Sequence, residues 1–239
     1  MSDLQPTDPI WYRYTFRFAD GSEKRFEITL DPATLALIPP AEPSRPDWTK
    51  LGYHQCEQCP LKAEVSHCPV AVNLASLVES FKDTLSHENI EATVETAQRT
   101  YSKRTSLQQG LSSIIGIYMV TSNCPVMDKL RPNARFHLPF ASVEETMYRA
   151  VSMYLTAQYF RMKRGEEPDW TLKHLSEIYQ GVWRVNKGIT DRLSHASAQD
   201  ANMNAVIVLS TFGSALDNYL EECLADIAPL FEPSAKPPT

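Results

Sequence analysis

The chain has 239 residues, of which 43% are hydrophobic, 22% charged and 10% aromatic; this is a globular composition with enough chain to bury a core, as one large domain or two small ones. Its net charge is −6 and its pI near 5.5, so no general electrostatic attraction draws it to nucleic acid or to anionic lipid. No stretch reaches the roughly 18 apolar residues of a membrane span, and the opening M-S-D-L-Q-P-T-D lacks the basic start and apolar run of a signal peptide, so the expected place is the cytoplasm of a bacterial cell.

Residues 11–18, W-Y-R-Y-T-F-R-F, alternate with period two. Tyr12, Tyr14, Phe16 and Phe18 face one way, and Arg13, Thr15 and Arg17 the other, which predicts a half-buried strand. Asp20-Gly21 supplies turn chemistry. Residues 24–30 alternate again, with Phe26, Ile28 and Leu30 inward, so a hairpin is expected. A proline-rich linker follows, with Pro39, Pro40, Pro43 and Pro46. A cysteine loop spans 54–69, and helical spacing predicts a helix over 72–85. Ile90, Ala92, Val94 and Thr96 alternate once more, predicting a third strand over 89–101. The basic cluster Arg99, Lys103 and Arg104 reads as a solvated strand end.

No strand signal appears from 105 onward. Helices are predicted at 106–121, 142–164, 170–195 and 198–228. Ser106 with Gln109 and Ser142 with Glu145 have capping-box spacing, and Ser197 with Asp200 places an acid at the third position. The last helix carries an apolar stripe of Ala201, Ala205, Val208, Phe212, Leu216, Tyr219, Cys223 and Ile227. It is apolar almost all round near Ala205–Leu209, which predicts a central helix. Cys223 reads as plain packing. The fold class is therefore α+β. A small N-terminal antiparallel sheet, made of the hairpin and a third strand, fills 1–104 with order from residue 8. A helical bundle fills 105–231, and 232–239 form a disordered tail.

Cys56, Cys59 and Cys68 sit within thirteen residues, in H-Q-C-E-Q-C-P-L-K-A-E-V-S-H-C-P, and Cys124 follows in S-N-C-P. A reducing cytosol disfavours disulfides, which moves clustered cysteines toward metal or redox chemistry. C-x2-C is a chelating turn, and a third thiolate can fold back through the loop. Cys124 as fourth ligand would staple the loop to the helical half; His54 is the alternative. His67 adjoins Cys68, too close for both to reach one ion easily. Zinc is the simplest occupant, and an iron–sulfur cluster is the alternative. The plain reading is four small buried cysteines with no metal.

The run R-F-H-L-P-F-A, residues 135–141, sets His137 among aromatics just before a helix. His137 is the weak candidate for acid/base catalysis, with Arg135, Arg149 or Asp200 orienting a substrate between sheet and helices. The plain reading pairs Arg149 with Glu145 and gives His137 a carbonyl partner. Asp200, Asn204, Asn186 and Arg184 would form either a pocket or a capping network. Gly110 and Gly116 suit close helix contact. No phosphate-cradling loop, dinucleotide fingerprint, nucleophile elbow or H-E-x-x-H is present.

The motifs C-x-x-C-P with C-P-V-A, then S-x-C-P, R-F-H-L-P-F-A and D-A-N-x-N-A, resemble an uncharacterised bacterial family defined by a domain of unknown function. The resemblance runs from the hairpin to the last helix and implies no activity. The leading expectation is a cytoplasmic metal-binding protein, binding or regulatory, with an unidentified protein or small-molecule partner. The alternatives are an enzyme at His137 and an iron–sulfur redox or sensor protein.

Overall fold

The aromatic and charged alternation at the front of the chain folds as a sheet. A computed structural model describes residues 8–196, 199–218 and 220–232, save the side chains of 212–218 and 223. β1 (Ile10–Phe18) and β2 (Glu23–Leu30) pair antiparallel with Tyr14 opposite Phe26. Gly21 takes φ +86° at the turn, where Asp20 Oδ1 accepts from Ser22 N–H at 2.8 Å. Tyr12, Tyr14, Phe16, Ile28 and Leu30 are buried. On the opposite face Arg13 pairs with Glu27 and Glu95, and Arg17 with Glu23 and Glu91, cross-strand pairs that fix register.

The expected third strand is two strands. β3 (Asn89–Glu95) and β4 (Thr100–Ser106) form a second hairpin, and the sheet order is β2-β1-β3-β4, all antiparallel. The turn carries no glycine, proline or asparagine. Thr96 makes it instead: its Oγ1 accepts from the N–H groups of Gln98 and Arg99, a side chain replacing a backbone turn bond. β4 is a polar edge with Lys103 and Arg104 exposed, which blunts edge-to-edge pairing.

The connection from β2 to β3 holds the proline-rich stretch, the cysteine loop and α1 (Pro69–Phe81). α1 starts three residues earlier than expected, because Pro69 fits the first helical position and Cys68 is the N-cap. α2 (Leu107–Val120) lies on the sheet. A Cβ at Gly110 would stand 2.9 Å from Ile90 Cδ1 and 3.2 Å from Phe16 Cε1, so glycine permits this approach. Ser106 makes no side-chain cap. The Leu107 and Gln108 N–H groups already donate to Glu88 and Ser86 carbonyls, which leaves less for a hydroxyl to do.

After the short α3 (Pro132–Arg135), α4 (Val143–Lys163) opens with both bonds of the Ser142–Glu145 capping box. α5 (Lys173–Ala196) starts where Asp169 accepts from His174 N–H and Thr171. Hydrogen bonds, first that of the Thr171 hydroxyl, hold the Asp169 carboxyl well below its ordinary value. Where one helix was expected over 198–228, the chain forms α6 (Ala201–Asn218) and α7 (Leu220–Ile227). α6 contacts α2 and α5. Ala201, Ala205 and Val206 are fully buried, but Ile207 is exposed and Val208 half-buried; the helix is covered on the sides of its neighbours rather than all round. Ser197 and the tail 233–239 lie outside the described residues, and the stripe positions Phe212, Leu216, Tyr219 and Cys223 lie outside the described side chains. One continuous core runs from Ile10 on the sheet to Val206 on α6.

Candidate metal centre

The four clustered cysteines are free thiols. Cys68 and Cys124 are buried in the core, and Cys56 and Cys59 pack half-buried against it. The C-x2-C turn closes with Cys59 N–H donating to the Cys56 carbonyl at 3.1 Å, across Gln58 at φ +59°. Cys68, Cys59 and Cys124 are close enough to Cys56 for charged sulfurs there to repel one another. Cys68 and Cys59 act on Cys124 in the same way. Residues from two distant stretches of sequence thus meet in one place.

Burial and mutual proximity dominate the electrostatics of these thiols. Burial pushes the Cys56 thiol up to about 12, neighbouring sulfurs add to that, and Arg192 opposes it. Burial also raises Cys124, against the backbone N–H groups of Met127 and Val126 that bond its sulfur. Two N–H donors aimed at one sulfur favour the thiolate. Cys68 occupies the N-cap position of α1, and its side chain makes no cap hydrogen bond.

α5 closes the site. A Cβ at Gly188 would stand 2.6 Å from Cys56 Sγ and 3.1 Å from its Cα, so only glycine lets the loop sit there. One turn on, Arg192 is 0% exposed. Its guanidinium donates to the carbonyls of Trp48, Lys50 and Leu51, each at 2.8 Å. The same segment receives the Cys68 N–H at Thr49 O, 2.8 Å. Arg192 has no carboxylate partner among the described residues, and its Nε has no partner. A buried cation without a counter-ion is costly, and thiolates at Cys56 would supply the missing charge. As the side chains stand, no group of three or more His, Cys, Asp or Glu among the described residues is arranged to hold a metal ion; ligation requires the thiols to turn inward.

His54 is exposed, at φ +44°, with its ring stacked on His195 at 4.3 Å. His67 Nδ1 bonds Thr49 Oγ1 at 2.9 Å. Cys124 lies within electrostatic range of the other three sulfurs, whereas His54 stacks on His195.

His137 lies elsewhere, between the sheet and the 132–141 segment. Its Nε2 is 2.6 Å from the Tyr14 hydroxyl and 3.3 Å from Ser113 Oγ, and Tyr12 meets its ring edge-on. The partner is a tyrosine, not the expected carbonyl. Burial, then the Arg149 charge, drives its pKa down to about 3, so the ring is neutral. Arg149 donates to Asn133 O at 3.1 Å rather than pairing with Glu145, whose carboxylate is used by the capping box. Arg135 is exposed beside it. Asp200 is remote from this group: it accepts from Ser86 N–H and Oγ–H and from Asn204 Nδ2–H. That is the capping network, and Asn186 is not part of it.

Sequence reasoning missed Arg192, Tyr14 and Tyr179. The signal for Arg192 was present: an arginine on the buried stripe Val185, Ile189, Arg192 of an amphipathic helix.

The fold is that of an α+β protein, a four-stranded antiparallel sheet followed by a helical region, with a cysteine loop packed against α5. Residues 10–232 match the family model described as a domain of unknown function (DUF6901), and the chain belongs to that family. No curated protein and no solved structure matches it. Among the described residues no helix is long and apolar enough to cross a membrane.

Proposed function

We propose that this is a cytoplasmic metal-binding protein in which Cys56, Cys59, Cys68 and Cys124 ligate one zinc ion as thiolates. The role is binding or regulatory through the helical surface, without turnover. One observation carries the reading: four free thiols lie within electrostatic range of one another, and beside Cys56 stands a buried arginine with no carboxylate partner among the described residues. A tetrathiolate zinc centre carries net negative charge, and Arg192 is set to compensate it. Zinc at a Zn–S distance of about 2.3 Å would draw the sulfurs together, pin the loop to α5 through Cys56 and to α2 through Cys124, and add its binding energy to folding.

An iron–sulfur cluster on the same four thiolates is the second reading. Such a cluster takes the same set of four cysteine ligands. Catalysis at His137 is not proposed: its Nε2 is engaged by Tyr14, and a ring held neutral down to about pH 3 is a weak base.

Substitution tests the ligand set. Cys124→Ser is expected to lose the metal and His54→Ala to keep a full equivalent, read by metal content of purified protein. Retention by Cys124→Ser with loss by His54→Ala would exchange the two assignments. Full retention by both would remove the staple from the proposal.

A further inference from the structure

Away from the thiols, a cavity of about 220 Å³ lies among α2, the 126–141 segment, α4, α5 and α6. That is far more than the roughly 10–15 Å³ that one water needs by the same measure, enough for a small organic molecule. Most of its wall is apolar, from Ile117, Val120, Phe140 and Leu209.

Three polar side chains, Arg149, Tyr179 and Asn186, belong to the wall. Tyr179 is 7% exposed and Asn186 2% exposed. Arg149 uses one nitrogen on Asn133 O, while its Nε is buried without a partner. Arg149 and Tyr179 lie within electrostatic range of each other. Tyr179, Val182 and Asn186 share one face of α5, so the Cα atoms of Tyr179 and Asn186 are about 10 Å apart along the helix. The cavity thus has a donor-rich end, an apolar body and a second polar point.

The access is charged to match. Arg149 and His137 also line an adjoining cleft, whose rim carries Arg99 and Arg135. His137 is neutral there, because burial and then the Arg149 charge lower its pKa to about 3. Glu145, the nearest acid to Arg149, is committed to the α4 cap. Arg99 and Arg135 stand around the same cleft as the half-buried Arg149, with Asp8 the one acid of its lining.

We propose that this cavity is a binding site for a small amphipathic carboxylate, its anionic head on Arg149 and Tyr179 and its apolar body running toward Asn186. The site is independent of the thiolate reading. Arginine suits a carboxylate because its planar donors match the two oxygens, and the apolar wall selects against small inorganic anions.

The test is calorimetric titration of the full chain with straight-chain carboxylates from butanoate to decanoate, and with the alcohols of matching length. At least one carboxylate is expected to bind, with its alcohol weaker by about tenfold or more. Tyr179→Phe and Asn186→Leu each remove polar atoms at nearly constant volume, so both should fold, as circular dichroism would verify. Tyr179→Phe is expected to weaken the carboxylate about tenfold and leave the alcohol unchanged, and Arg149→Gln to abolish the preference. Binding by no member of the series at roughly millimolar concentration, equal binding of acid and alcohol, or indifference to Tyr179→Phe would each overturn the proposal.

Discussion

His137 shows how a single side chain can be legible in sequence and still be misjudged. Its aromatic setting pointed to a special residue, and the structure makes it special through Tyr14, whose hydroxyl lies 2.6 Å from Nε2. The tyrosine was read as one inward residue of a strand, because nothing local links position 14 to position 137. The protonation consequence is testable. In the unfolded chain the ring takes a proton near pH 6.5; in the fold it does so only near pH 3. Below about 6.5 the unfolded state binds more protons, so this residue's contribution is present above that pH and is lost as pH falls toward 3. Urea unfolding of wild type and His137→Gln at about pH 7 and about pH 4.5 should show the stability gap between them shrinking at the lower pH. A gap independent of pH would mean that His137 is not held neutral by the fold.

At the scale of elements, the chain was readable wherever one periodicity ran long. The aromatic alternation of β1 and the capping box of α4 stand where the sequence placed them. The turn between β3 and β4 was hidden because Thr96 does with a hydroxyl what glycine or asparagine usually does. Helix starts were legible from serine only where no carbonyl of another segment had already taken the free N–H groups, as at Ser142 but not at Ser106. Gly110 was read correctly as a contact glycine, and its cost can be measured. Alanine there gains up to about 1 kcal/mol of helix propensity. Its Cβ would meet Phe16 at 3.2 Å, and Phe16 is fully buried and cannot step aside. Overpacking costs about 1–3 kcal/mol, so Gly110→Ala should be destabilised by about 1 kcal/mol net in urea unfolding. A variant as stable as wild type would mean that the sheet yields at Ile90.

Across the whole molecule, the long connection from β2 to β3 has little regular structure before α1, yet it is held at both ends of its cysteine loop. Arg192 collects three of its carbonyls, and Gly188 admits Cys56 against α5. The cysteine spacing, with Cys124 as the candidate fourth ligand, was visible in sequence; that a buried arginine stands beside Cys56 required the fold, since Arg192 comes from a helix far along the chain. If the thiols hold a metal, that ion is a third tie between sheet, loop and bundle. Chelation should then lower the melting temperature and expose the loop to proteolysis between 54 and 68, whereas an unchanged melting temperature would confine the metal, if bound, to a peripheral role.

The most direct measurement is elemental analysis with a UV–visible spectrum on the full chain purified without oxygen. One zinc per chain and no visible absorption is the predicted result. Iron with sulfide and a broad visible band would keep the four ligands and replace the ion by a cluster. Protein folded, with all four thiols titratable and no metal taken up when zinc is supplied, would contradict the central claim.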